Sequence, residues 1–261
     1  MFIFSFLADR FKKHNFLFEE LVKRDFKQRY KRTALGILWS LLGPLLQLLI
    51  MALVFTYFFG GSTPNFIIYI FSGNLIFSFF RQATSDGMMA LYTNADIITK
   101  INAPKYLFLF SKNVAALINF CLTLVIFFIF VALDGIPFHP RFLLLLYPTI
   151  CLLFFNIGAG LFLSAMFVFF RDTKYLYDIF TMLLMWLSAI FYPTDAFPYW
   201  IQQIFLLNPV FTFIHYFRLV IIHGVAPSHS IHLICAAYTL AALFLGGYIY
   251  KRYNYKFIFY L

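Results

Sequence analysis

Charge is scarce in this chain. Of 261 residues only 11% are Asp, Glu, Lys or Arg, and between Thr33 and Phe80 there is none. A soluble domain cannot present a water-compatible surface with so little charge, so that class is excluded. Cysteine is scarce too. Cys121, Cys151 and Cys235 all lie in apolar stretches, which excludes a disulfide framework and shows no metal-ligand spacing; no metal centre is expected. The phosphate-cradling pattern G-x-x-x-x-G-K-[ST] is missing, so the chain has no visible means of holding ATP. The start, MFIFSFLAD, lacks a basic segment before its apolar part and a small-residue cleavage site, so a cleaved signal is not expected. No paired acids stand where a glycosyl- or acyltransferase would need a general acid and base. No acid or base falls mid-span, as an ion-coupled transporter would require.

What is present is apolar. Hydrophobic residues make up 63% of the chain, and the mean hydropathy is +0.85. The runs are continuous and long enough to cross a bilayer, which forces helices or a closed barrel. Their lack of alternation favours helices. The expected fold is an all-α integral membrane protein with six transmembrane helices, at about 34–59, 64–80, 106–133, 142–170, 175–193 and 230–250. Turn signals separate them, among them Gly60-Gly61-Ser62-Thr63-Pro64, Asp134-Gly135-Ile136-Pro137 and Arg171-Asp172.

The basic residues are distributed unevenly. With the N-terminus in the cytoplasm, eighteen of the twenty Lys and Arg fall on the inner side, leaving only Arg141 and Arg218 outside. That asymmetry predicts cytoplasmic termini and accounts for the net charge of +10 without nucleic acid. Residues 195–222 are apolar but interrupted by Pro198 and Pro209, and a seventh span there would carry the C-terminal cations outside. The expected structure is an outer re-entrant helical hairpin between spans five and six, bent at Asn208-Pro209.

Two segments stand out on the inner side. Residues 1–33 form an interface segment containing KRDFKQRYKR, in which Phe18, Leu21, Val22, Phe26 and Tyr30 recur at helical spacing. The pattern predicts an amphipathic helix along the membrane surface. Residues 81–105 are long for a connection between spans. There, Thr84 or Ser85 is expected to cap a short helix, and Pro104 to open the next span. Five histidines fall on the outer side; His229 and His232 are three apart, but further ligands for zinc are lacking.

RDFKQRYKRTALGILWSLLGPLLQLLIMALVF, NADIITKINAPKYLFLFS, FFRDTKYL and YPTDAFPYWIQQIFLLNPVFTFIHYFR resemble, in that order, segments of the permease subunits of polysaccharide-exporting ABC transporters. These are the O-antigen, capsule and teichoic-acid exporters of the ABC-2 superfamily. Thr33 stands where Ser is expected and Ala103 where an aromatic is common. The resemblance implies a homodimer in the bacterial inner membrane with two copies of a separate ATPase subunit. ATP and Mg would be bound there, with no cofactor in this chain. The cargo implied is lipid-linked polysaccharide, O-antigen above all; teichoic acid, a small lipid or a drug is the alternative. By the same resemblance Arg24, Asp25, Arg29, Asn94, Lys100, Pro104 and Lys105 are candidates to dock the ATPase, with Arg171 and Asp172 beside them. Trp39, Tyr57 and Phe77 are candidates to line the translocation path, and Pro198, Asn208, Pro209 and Arg218 to form an outer gate.

Overall fold

The computed structural model describes residues 15–27, 35–59, 65–100, 103–194 and 197–260, and among these the chain is all helical, without a strand. A helix at 15–27 (α1) is followed by α2 (Trp39–Phe59), α3 (Phe66–Met89), the short α4 (Ala95–Ile98), α5 (Tyr106–Leu133), α6 (Leu146–Phe169) and α7 (Thr173–Leu187). Then come α8 (Tyr199–Phe205), α9 (Pro209–Ile221), α10 (His229–Tyr253) and α11 (Phe257–Tyr260). Among the described residues four helical stretches are long and apolar enough to cross a membrane: α3, α5, α6 with the 3-10 turn Pro140–Leu145 before it, and α10. The pair α8 and α9, bent by 111° at its break, makes a fifth if counted as one span. In hydrocarbon every backbone polar group needs an internal partner, which is why the apolar runs are helical.

The second apolar run differs from the sequence expectation. Its helix does not stop at Phe80 but continues to Met89. Arg81 marks where charge resumes, not where the helix ends. Past it Thr84, Gly87 and Met88 are buried, and packing carries the helix on. Thr84 therefore caps nothing. Its hydroxyl donates to the Phe80 carbonyl within α3 at 2.6 Å and meets the Tyr177 hydroxyl of α7.

Lipid is as apolar as a leucine side chain, so association between these helices rests on close packing. The closest approach joins α6 to α10: a Cβ on Gly246 would lie 2.0 Å from the Gly158 carbonyl oxygen. On another side of α6, a Cβ on Gly87 would stand 3.3 Å from the Cα of Gly160, drawing α3 in. By contrast α7 buries only Tyr177, Thr181 and Leu184 and leaves Tyr175, Phe180 and Trp186 exposed.

The packing places two regions at opposite ends of the bundle. One end, rich in basic residues, gathers α1, the C-terminal end of α3, the start of α5, the α6–α7 turn and α11. The far end gathers the start of α3, the end of α7 and the α8–α9 pair.

Candidate functional site

At the basic end, Leu21 of α1 is buried at 4% exposure in a cluster that includes Leu91 and, from α5, Phe108 and Leu109. Asp25 follows Leu21 by four residues and shares its face, so its carboxylate is carried inward until its side chain is 1% exposed. There it collects donors. Oδ1 accepts from Arg24 Nη2 at 2.8 Å and from Lys112 Nζ at 3.1 Å, and Oδ2 from the Ser111 hydroxyl at 2.8 Å. Arg24 Nη2 also donates to Asn94 Oδ1 at 2.6 Å. Asn94 in turn donates to the Ala90 carbonyl at 2.7 Å. One buried carboxylate thus ties α1 to the start of α5 and, through Arg24, to the segment after α3. A buried charge is tolerated when it is paired and hydrogen-bonded in this way.

The candidates for docking therefore divide. Asp25 and Asn94 are buried and bonded inward, away from the exposed rim. Lys100, Arg171 and Asp172 are exposed. The Arg171 guanidinium carbon stands over the Tyr92 ring, 4.2 Å from its centroid, and the side chain donates to the Tyr260 carbonyl at 3.2 Å, joining the α6–α7 turn to α11. Asp172 precedes α7. The Pro104 carbonyl accepts from Leu107 N–H in the first turn of α5. Lys105 donates to the Asn254 carbonyl at 2.6 Å, and partial burial lowers its pKa from the usual lysine value. Arg29 lies outside the described residues.

The far end is built around the broken end of α7. The helix stops at Leu187 and the chain turns through Ala189, whose φ of 47° is in the left-handed region. A helix terminus leaves carbonyls without intrahelical donors, and α9 supplies donors. Arg218 is 3% exposed. Its Nη1 donates to the Ala189 carbonyl at 2.9 Å, and its Nη2 to the carbonyls of Tyr69 and Ile190 at 3.2 and 3.3 Å. The guanidinium carbon sits 3.4 Å from the centroid of the Tyr69 ring, whose hydroxyl donates to the Tyr192 carbonyl at 2.8 Å. Gly73 leaves the room this needs: a Cβ there would come within 2.9 Å of Arg218 Nη2.

Asn208 serves both partners of the break. Its Oδ1 accepts from the Val210 and Phe211 N–H groups at 3.0 and 3.3 Å, capping α9, and Pro209 takes the first helical position. Its Nδ2 donates to Leu187 O and Ser188 Oγ at 3.2 and 3.0 Å. Pro198 is exposed just before α8 and its carbonyl accepts from Ile201 and Gln202 N–H. Sequence reasoning identified Asn208, Pro209 and Arg218 but missed Tyr69 and Gly73, which look unexceptional inside an apolar run. It also missed Ser111 and Lys112, for which the signal was a polar pair at the start of an otherwise apolar helix.

The path candidates separate as well. Trp39 is 42% exposed and borders a cavity between α2, α3 and α5. Phe77 is 3% exposed and packed in the main core of the subunit, so it presents no ring to a path along the subunit's surface. Tyr57 belongs to α2, and its side chain is outside the described residues. Among the described residues no three metal-ligating side chains gather. His232 Nε2 lies 2.8 Å from the Tyr216 hydroxyl, and its Nδ1 faces the Ser228 carbonyl at 3.0 Å.

Residues 17–222 match the ABC-2 type transporter family. This chain belongs to that family. It is accordingly a transport subunit and not by itself a catalytic enzyme, and it is an integral membrane protein. The ABC-2 match includes both buried charges, Asp25 and Arg218. Curated relatives extend it. The O-antigen export system permease protein RfbA of Myxococcus xanthus is 29% identical over 180 residues, 67% of this chain and 68% of that one. An RfbA of Klebsiella pneumoniae is 25% identical over 247 residues, 93% of this chain and 95% of its own. The polysialic acid transport protein KpsM of Escherichia coli is 22% identical over 237 residues, 89% of this chain and 92% of that one.

Proposed function

We propose that this ABC-2 transporter chain exports lipid-linked polysaccharide, of the O-antigen kind, across the inner membrane. ATP and Mg are bound and used on a separate nucleotide-binding subunit. The observation that carries this reading is the nearly end-to-end similarity to a permease named for O-antigen export. The geometry supports it. An ATPase needs a stiff contact surface through which to move helices, and the basic end offers one. Lys100, Arg171 and Asp172 form its exposed rim, and the Asp25 clamp holds α1, Asn94 and α5 as one body behind them.

In this reading the basic end is cytoplasmic, as are both termini, because the positive-inside rule places Lys- and Arg-rich segments there. Residues 1–33 form the cytoplasmic interface segment and 34–261 the six-span domain. The spans are α2, α3, α5, α6, α7 and α10, with α8–α9 re-entering from the outside. Six helices are few to enclose a wide path, so the working unit is a homodimer carrying two ATPase copies, with the path between them. Arg218 and Asn208 hold the α8–α9 pair closed on the end of α7, and the outer gate opens when that contact is released.

The test is deletion of the chain in its host, followed by complementation. Loss of surface polysaccharide with lipid-linked chains retained inside supports the reading. Unchanged polysaccharide with altered tolerance to small lipophilic compounds points to a small-lipid or drug exporter. Topology is checked separately: single cysteines at Ser228 and Asn254, in a background lacking the three native ones, are treated with an impermeant thiol reagent in intact cells. Labelling at Ser228 alone is expected; labelling at Asn254 alone reverses the orientation.

A further inference from the structure

One face of α3 is polar inside an apolar helix. Asn74, Ser78, Gln82 and Asp86 succeed one another at intervals of four and so form a single stripe along it. Asn74, Ser78 and Gln82 of this stripe face a cavity of about 350 Å³ between α2, α3 and α5. Across that cavity stand Gln47 of α2 and Asn119 and Thr123 of α5. Asn119 donates to Gln82 Oε1 at 3.2 Å. Asn119 stands about 20 Å along α5 from Tyr106, near the helix midpoint at about 1.5 Å per residue. Polar side chains at that depth are costly unless they are paired or used.

Helix-to-helix glue is the plainest role for such groups, and the Asn119–Gln82 bond fits it. The rest of the stripe does not, because those side chains border a hollow. The hollow lies within the size range of small-ligand sites, about 300–1,000 Å³. Its polar lining is wholly neutral: amides and hydroxyls that both donate and accept hydrogen bonds. Its apolar wall offers one exposed aromatic ring, that of Trp39, while Phe71, Phe79 and Phe120 back it from within the core at 3% exposure each. A neutral set able to donate and accept, set beside the Trp39 ring, matches a polyhydroxylated ring, whose hydroxyls do both and whose C–H face is apolar. A phosphate would call for cations, and the lining has none.

Gln82 also borders a second cavity, of about 860 Å³, toward the basic end, where Arg24, Lys27, Asp86 and Lys112 stand. The two cavities therefore share one lining residue, Gln82. From this we infer that the groove between α2, α3 and α5 is a binding site for neutral sugar units, reached from the basic end past Gln82. The inference rests on the export reading above and adds to it where on the subunit the sugar is held.

The test uses the whole permease with its ATPase, in cells, with the three native cysteines replaced. Ser78→Cys sits on the groove and breaks no hydrogen bond described here; Val125→Cys, on an exposed apolar face of α5, is the lipid-facing control. A small charged thiol reagent needs water to react. Ser78→Cys is expected to react much faster than Val125→Cys, and to be protected in cells that make the polysaccharide relative to cells lacking the glycosyltransferase that extends it. Gln82→Leu should weaken that protection about fivefold, the equivalent of one hydrogen bond. Ser78→Leu, which fills the groove without removing the Asn119–Gln82 bond, should lower export at normal complex yield. An unreactive Ser78→Cys overturns the inference, since the stripe is then dry glue. So does reactivity without protection, since the groove then holds only water. If deleting the chain abolishes surface polysaccharide while Ser78→Cys shows no protection, the groove alone is wrong; if deletion changes nothing, the export reading fails first.

Discussion

The two ends of the bundle both bury charge, and they do so by different chemistry. At the basic end a carboxylate is met by two cations and a hydroxyl. At the far end a guanidinium is met by three backbone carbonyls and a ring. The first arrangement depends on charge sign and tolerates changes of shape. The second depends on shape, since only a planar fork of five donors reaches several carbonyls while lying on an aromatic face. The difference suits the roles proposed for each. A contact surface must stay assembled while it is pushed, whereas a gate needs an interaction that is either made in full or lost.

The largest effect is expected from removing the fork. Arg218→Ala removes a donor from the carbonyls of Ala189, Ile190 and Tyr69. The Tyr69 carbonyl keeps the Ser72 hydroxyl at 2.9 Å and the Ala189 carbonyl the Tyr69 hydroxyl at 3.4 Å. The cost therefore falls chiefly on Ile190, at about 1–3 kcal/mol for a buried group left unsatisfied. Complex yield after mild solubilisation should fall sharply. Arg218→Lys should rescue it poorly, because an ammonium keeps the charge but not the planar fork. Good rescue by Lys would show that charge and not geometry matters at this end.

Next comes the clamp. Asp25→Asn leaves Lys112 and Arg24 without their anion, and breaking a buried pair costs about 3–5 kcal/mol. That figure is an upper bound here, because the Arg24 side chain is 36% exposed and water offsets part of the loss. Lys112→Met in the Asp25→Asn background should recover part of the stability, measured as thermal inactivation of the complex. No recovery in the double variant would place the role of Asp25 in its bond to Ser111.

Asn208→Asp sharpens the far end at smaller cost. The cap on α9 survives, since a carboxylate accepts from N–H at least as well. The donation to Leu187 and Ser188 is lost and a charge faces a carbonyl. Export should fall more than yield. Asn208→Ser, which caps without that donation, should lie between the two. Equal export in all three would mean that only the cap is used.

The smallest structural effect is expected at the exposed rim. Tyr92→Ala removes the ring under Arg171, worth about 0.5–1 kcal/mol at an exposed site. Yield should be unchanged while ATP hydrolysis by the partner subunit uncouples from export. Unchanged coupling would remove Arg171 from the contact surface.

How much of this was legible in the sequence varied with how local the cause was. Asn208-Pro209 announced its break because a cap residue followed by proline is a local signal. The burial of Asp25 was legible in principle, being four residues from Leu21, yet its partners lie some ninety residues on in α5. The end of the second apolar run was misread for a different reason. Charge at Arg81 signals where lipid stops, and a helix has no need to stop there if protein covers it. Tyr69 and Gly73 carried no signal, because a contact with Arg218 is visible only once α3 and α9 have been brought together. Aromatic content was equally mute: Trp39 and Phe77 look alike in sequence, and packing alone exposed one and buried the other.

The glycine contacts along α6 have a mechanical consequence. With Gly158 against Gly246 on one side and Gly160 against Gly87 on another, α3, α6 and α10 touch backbone to backbone and leave no side-chain layer to slide over. They behave as a stator. Relative displacement is therefore cheapest in the helix least tied to that frame, α7, which enters it with a single face of three side chains and has its far end secured by groups borrowed from α9. In the export cycle proposed above, a stroke delivered at the basic end reaches α7 through the turn that holds Arg171, which would make α7 the lever, the frame its support, and Arg218 the catch at its tip.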